Sequence, residues 1–145
     1  MKMLVAALLV APAFAYAQPP GGDGVPFPPA AAAPPAVVGA ARAALATELY
    51  GAAPPMTAVR LDLGRQALLV TAESGAVCGN SVGCPTAIMV RDGNRWKAVW
   101  TGMAFGRGSV LPTRHSGLRD VALAMSRGQS LLSFDGVSYV EAPAR

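Results

Sequence analysis

Thr57-Ala58-Val59-Arg60-Leu61-Asp62-Leu63, then Gly64-Arg65, then Gln66-Ala67-Leu68-Leu69-Val70-Thr71 is the stretch on which the fold turns. Val59, Leu61 and Leu63 alternate with Arg60 and Asp62, a period of two that puts apolar side chains on one face of a half-buried strand. Gly64-Arg65 reverses the chain. The Leu68-Leu69-Val70 run then predicts a second strand pairing back on the first.

Working toward the C-terminus, the same grammar recurs. Ala87 to Val90 and Arg95 to Trp100 flank Asp92-Gly93-Asn94, whose glycine and asparagine tolerate positive φ, and this predicts a hairpin. Trp96, Ala98 and Trp100 are expected to share one face of its second strand. Val121 to Met125, Leu131 to Phe134 and Val137 to Val140 read as three further short strands. They are joined through Ser126-Arg127-Gly128-Gln129 and a two-residue Asp135-Gly136 turn.

Toward the N-terminus the period changes. Val38, Ala41, Leu45 and Leu49 recur at helical spacing between Val37 and Tyr50, and Gly51 follows where a C-terminal cap belongs. One amphipathic helix packed on an antiparallel meander of six to seven short strands makes the expected class α+β. Before the helix, residues 18–36 hold seven prolines and few side chains able to build a core, which predicts an unstructured linker. Residues 1–17 combine Lys2, an apolar stretch and Ala15-Tyr16-Ala17, the pattern of a secretory signal peptide. Their apolar run is interrupted by Pro12 and falls short of the ~20 residues that span a bilayer. The expected organisation is a signal peptide (1–17), a linker (18–36) and one small domain (37–145).

Composition narrows the function classes. Without Lys2, 11 basic residues face 8 acidic ones, and the arginines are scattered along the chain rather than blocked. A nucleic-acid partner is not expected from that pattern. Ten arginines against two lysines, with 29 alanines, resemble the usage of a high-GC bacterial genome. With the signal peptide, this predicts a periplasmic or secreted bacterial protein without a membrane span.

Cys78 and Cys84 bracket Gly79-Asn80-Ser81-Val82-Gly83, and an even cysteine count in an exported protein predicts a disulfide. A redox dithiol usually has a Cys-x-x-Cys spacing at a helix start, whereas Pro85 and a strand follow here. Two cysteines and one histidine are too few for a structural zinc site, and neither metal nor cofactor is expected. The closed loop would project Asn80, Ser81 and Val82 from the end of the sheet, already ordered, as a binding surface. His115 is the one histidine, in Thr113-Arg114-His115-Ser116-Gly117-Leu118-Arg119-Asp120. It is the alternative catalytic candidate, although His-Ser adjacency does not itself make a triad, which is defined by geometry. The polar side chains of this stretch otherwise suit a strand-entry turn. The aromatics Trp96, Trp100, Phe105, Phe134 and Tyr139 fit a core better than a ligand groove. Met103 to Ser109 lacks the third glycine and the helix of a phosphate loop.

CGNSVGCP, the Asp92-Gly93 turn with Arg95-Trp96, HSGLRD and FDGVSYV together resemble a group of small exported bacterial proteins of uncharacterised function, over residues 58–141. No activity or site residues follow from that resemblance. The bracketed-cysteine loop is also loosely similar in shape to periplasmic lysozyme inhibitors of the Ivy type. Those loops run Cys-x-Pro-His-x-Cys, whereas this one lacks the histidine and carries Pro85 outside the ring. Three functions are expected in order: an envelope binding module contacting a protein or glycan, a small hydrolase using His115, and a structural envelope protein.

Overall fold

The structure is a computed structural model that describes residues 24–142. The expected signal peptide (1–17) and residues 18–23 of the expected linker lie outside the described residues. The elements run β1 Val25–Pro26, β2 Ala31–Ala32, α1 Pro35–Ala44, α2 Ala46–Leu49, β3 Met56–Asp62 and β4 Gln66–Ala72. Then follow β5 Cys84–Asp92, β6 Arg95–Ala104, β7 Gly108–His115, β8 Leu118–Met125, β9 Gly128–Phe134 and β10 Tyr139–Glu141.

These strands correct the expected α+β class. They form two five-stranded antiparallel sheets, β2-β3-β4-β5-β6 and β1-β7-β8-β9-β10, packed as a sandwich, so the domain is mostly β. The helix is an addition to one outer face. One continuous meander was the expectation, and the chain leaves it at Phe105-Gly106-Arg107. Gly106 takes φ +70 there, a conformation costly to any residue with a Cβ. Phe105 N donates to Ala124 O at 3.0 Å and Ala124 N to Arg107 O at 2.8 Å, which ties the crossing to the second sheet. β7 then starts a new ladder. Gly108 at its head lies so close to the Ala122 carbonyl that a side chain there would run into backbone.

The apolar periods read from the sequence explain the layers. Val59, Leu61, Leu63, Ala67, Leu69, Ile88 and Val90 point between the sheets, where they meet Val110, Val121, Leu123, Leu132 and Tyr139. Ala58, Leu68, Val70, Ala87 and Met89 point the other way, against Val37, Ala41, Leu45 and Leu49 of the helix. Strands β4 and β5 are therefore covered on both faces, which is why their sequences are apolar runs rather than alternations. Burying a leucine such as Leu45, at the joint between α1 and α2, contributes about 1.5–3 kcal/mol, so this helical segment is held by packing rather than by the ten-residue length of α1. The expected single helix is two: α1 ends at Ala44, Leu45 at φ -98 and ψ 13 breaks it, and α2 runs on to Leu49, where Tyr50 takes the left-handed cap at φ 50 with Gly51 next at φ 80.

Three smaller expectations are also corrected. The linker does not extend to residue 36. Val25–Pro26 pairs with Ser109 and Val110 of β7, Ala31–Ala32 pairs with β3, and the helix begins at Pro35. Trp100 does not share the face of Trp96 and Ala98. A bulge at Val99 shifts the register, so Trp100 pairs with Ile88 and packs toward the inter-sheet core. The Asp135-Gly136 turn is a four-residue loop closed by the Phe134–Tyr139 pair, because the Asp135 carboxylate accepts from the N–H groups of both Val137 and Ser138 at 2.8 Å.

Candidate functional site

Antiparallel alternation sends the two sequence-predicted candidates to opposite ends of the sandwich. The disulfide loop joins β4 to β5 at one end, next to the β6–β7 crossing. The turns after β3, β5, β7 and β9 lie at the other end, His115 among them. Contacts between turns fix the second grouping: Arg119 N donates to Leu63 O at 2.9 Å, and the Arg114 guanidinium lies over Gly64.

At the first end Cys78 and Cys84 are bonded, with S–S 2.11 Å and Cα–Cα 4.2 Å. Inside the ring Gly79 and Gly83 exchange backbone bonds, Gly79 N to Gly83 O at 2.8 Å and Gly83 N to Gly79 O at 2.9 Å. Asn80, Ser81 and Val82 thus form the tip of a miniature hairpin, and all three are exposed. None of their side chains makes a hydrogen bond among the described residues. The ring is also seated from below. Gly83 takes φ +87 and lies against the Ala104 carbonyl, so no side chain fits at that position. Backbone bonds, a covalent bridge and a packed base all restrict the same five-residue segment.

At the other end the Thr113–Asp120 stretch is a β-hairpin rather than a strand-entry turn. Ser116 at φ 50 and Gly117 at φ 89 form its two-residue loop, the double positive φ of a type I′ turn. Thr113 and His115, two residues apart on β7, stand on one face, and Asp120 on β8 faces them. Asp120 is 2% exposed; its carboxylate accepts from Thr113 Oγ1 at 2.6 Å and contacts His115 Nδ1 at 2.8 and 2.9 Å. The buried carboxylate is thereby satisfied by two partners whose outer sides are wet. Beside it, Tyr139 Oη donates to Arg119 O at 2.6 Å, and burial, with the Asp120 charge second, raises the Tyr139 phenol well above its ordinary range. Asp135, in the neighbouring loop, is held below its usual carboxyl value by the N–H groups of Ser138 and Val137.

This end presents an imidazole oriented by a buried carboxylate. His115 exposes 59% of its side chain, and its ring makes no hydrogen bond with a hydroxyl among the described residues. Thr113 points its hydroxyl at Asp120. The Ser116 Oγ stands 4.0 Å from where a side chain on Gly136 would begin and makes no bond with His115. Two cavities sit elsewhere at this end: one of about 380 Å³ on the outer sheet face beside Arg60, Arg65 and Gln66, one of about 210 Å³ between Phe27, Val110 and Arg119. Neither includes His115 or the disulfide tip.

Sequence reading weighs His115, Ser116 and Asp120 together without drawing the His115–Asp120 pair, and it misses the arginine cleft. The first was recoverable, since Ser116-Gly117 as a two-residue turn fixes Thr113 opposite Asp120. The second was not, because residues 25–28, 60, 110 and 119 meet only once both sheets are built. Arginines 60, 65, 91, 95, 114 and 119, dispersed in sequence, all fall at this end, interleaved with Asp62, Asp92, Asp120 and Asp135. The chain matches no family model, no curated protein and no solved structure. No helix among the described residues is long and apolar enough to cross a membrane.

Proposed function

We propose that this domain is an exported, non-catalytic binding module of the cell envelope, and that Asn80, Ser81 and Val82 contact a protein or glycan. The signal-like residues 1–17 support export, and the disulfide fits an oxidising compartment. The observation that carries the reading is the state of the tip: three exposed side chains, free of internal bonds, on a backbone already fixed by Gly79, Gly83 and the Cys78–Cys84 bridge. A fixed loop loses little conformational freedom when it docks, so its contacts go into affinity.

The test compares the wild-type protein with Asn80→Ala/Ser81→Ala/Val82→Ala as bait in envelope extract. Equal melting temperatures and an intact disulfide serve as controls. Support requires a captured protein or glycan whose affinity falls at least about tenfold, ~1.4 kcal/mol, in the triple variant. Full retention by that variant defeats the proposal. A second reading, a small hydrolase, is favoured by one observation, the Asp120-oriented imidazole of His115. It requires that His115→Asn abolish a hydrolytic activity while the triple variant keeps it.

A further inference from the structure

The 210 Å³ cleft on the open edge of the sandwich joins features that a purely structural seam does not need. Val25, Pro26, Phe27, Pro28 and Val110 give it apolar lining. Arg60, Asp62 and Arg119 also line it. Arg119 Nε is cut off from solvent and has no hydrogen-bond partner. The terminal guanidinium nitrogens of Arg119 are not cut off in this way and make no hydrogen bond among the described residues, so they are free to meet a partner from outside.

Charge points the same way. Arg119 pairs directly with Arg114 across β7 and β8, and like charges opposed in a ladder repel. Neither they nor Arg60 make an ion pair with an acidic side chain among the described residues. Of the acids nearest in sequence, Asp120 is taken up by Thr113 and His115, and Asp62 Oδ1 accepts from Gly64 N at 3.1 Å. The cleft therefore combines two arginines that make no ion pair with a largely hydrocarbon lining, Asp62 being its one acid.

We propose that this cleft binds a small carboxylate with an apolar body, the carboxylate meeting Arg119 and Arg60 and the body lying against Phe27 and Val110. An anion placed there would pair with the terminal guanidinium nitrogens and offset the Arg114–Arg119 repulsion, and arginine is well suited to carboxylates because its fork matches their geometry. The site is at the opposite end from the disulfide tip, so its failure would leave the binding-module reading untouched.

The experiment titrates the oxidised, ¹⁵N-labelled protein with benzoate, and in parallel with benzyl alcohol, the neutral counterpart of similar shape, at matched ionic strength. Benzoate should give saturable shifts at the Arg119 Nε–H and at the Phe27 and Val110 amides, and benzyl alcohol should give at least about tenfold weaker binding. Arg119→Met should remove the benzoate response. Arg60 is exposed, so Arg60→Met leaves the fold intact and should weaken binding severalfold even if Arg119→Met does not fold. Shifts absent with benzoate, equal with benzyl alcohol, or unchanged in Arg60→Met each overturn the proposal.

Discussion

Replacing Tyr139 by phenylalanine removes the oxygen that reaches from β10 past β9 to the Arg119 carbonyl on β8, and its destabilising effect should shrink as pH rises. Tyr139 is 3% exposed, packs against Phe134 at 5.5 Å between ring centroids, and donates to Arg119 O at 2.6 Å. Phenylalanine keeps the packing and loses the bond, leaving the carbonyl short of a partner, so near neutrality it should be less stable by about 1–2 kcal/mol. The phenol ordinarily titrates at 10.0, and in the fold it is raised by burial first and by Asp120 second. The unfolded chain therefore gives up this proton before the folded one. Above about pH 10 the unfolded state binds fewer protons, and the wild type loses stability as pH rises, by roughly 1.4 kcal/mol at about pH 11. Tyr139→Phe has no such term, and titrations elsewhere cancel in the difference. Urea unfolding followed by the fluorescence of Trp96 and Trp100, at steps from about pH 8 to about pH 11, should show two stability curves that converge near the alkaline end. A constant gap between them would falsify the assignment of that hydroxyl to a buried, proton-retaining bond.

Gly83→Ala drives a Cβ into the Ala104 carbonyl at a left-handed φ, so it should cost at least about 1–2 kcal/mol in urea unfolding. Gly93→Ala, with open space around it, should cost less. Asp120→Ala removes a buried acceptor of two bonds and should destabilise by about 1–3 kcal/mol, while Asp120→Asn, which keeps an acceptor, should cost less. Equal effects of the two would mean that the Thr113 and His115 bonds contribute nothing. Reduction of Cys78–Cys84 should leave the sandwich folded but raise amide exchange at residues 79–83, and loss of protection throughout β4 and β5 would contradict a local role.

How much of this was legible depends on where each residue's partner lies. β3, β4 and the β5–β6 hairpin were legible because their signals are local: alternation at Val59, Leu61 and Leu63, and turn residues at Gly64 and Gly93. Helix α1 showed through the spacing of Ala41, Leu45 and Leu49. β7 did not show. Gly108-Ser109-Val110-Leu111-Pro112-Thr113-Arg114-His115 has neither an apolar period nor a clean run, since its order comes from β1 on one side and β8 on the other. Missing β7 hid the second sheet, and with it the fold class. β1 and β2 were illegible for a related reason: Val25–Pro26 and Ala31–Ala32 are exposed and held by backbone bonds to edge strands, which leave no side-chain pattern. The bulge at Val99 likewise has no sequence mark, yet it turns Trp100 to the other face.

The disulfide shows why a site can be found by asking what a bond does not do. A ring this small contributes only ~2 kcal/mol through the entropy of the unfolded chain. The inter-sheet core already holds Leu61, Leu63, Leu69, Ile88, Leu123 and Leu132 nearly free of solvent, each contributing about as much on its own. β4 and β5, the strands that the bridge joins, are the two covered on both faces and are the least in need of a clamp. The strong effect of the bond is therefore confined to the segment it closes. There it acts with the Gly79–Gly83 bonds and with the seating of Gly83 on β6 to hold three exposed side chains in one arrangement. Such constraint on a segment without core residues favours presentation over stability as its role, and that is the physical ground for proposing Asn80, Ser81 and Val82 as a binding surface.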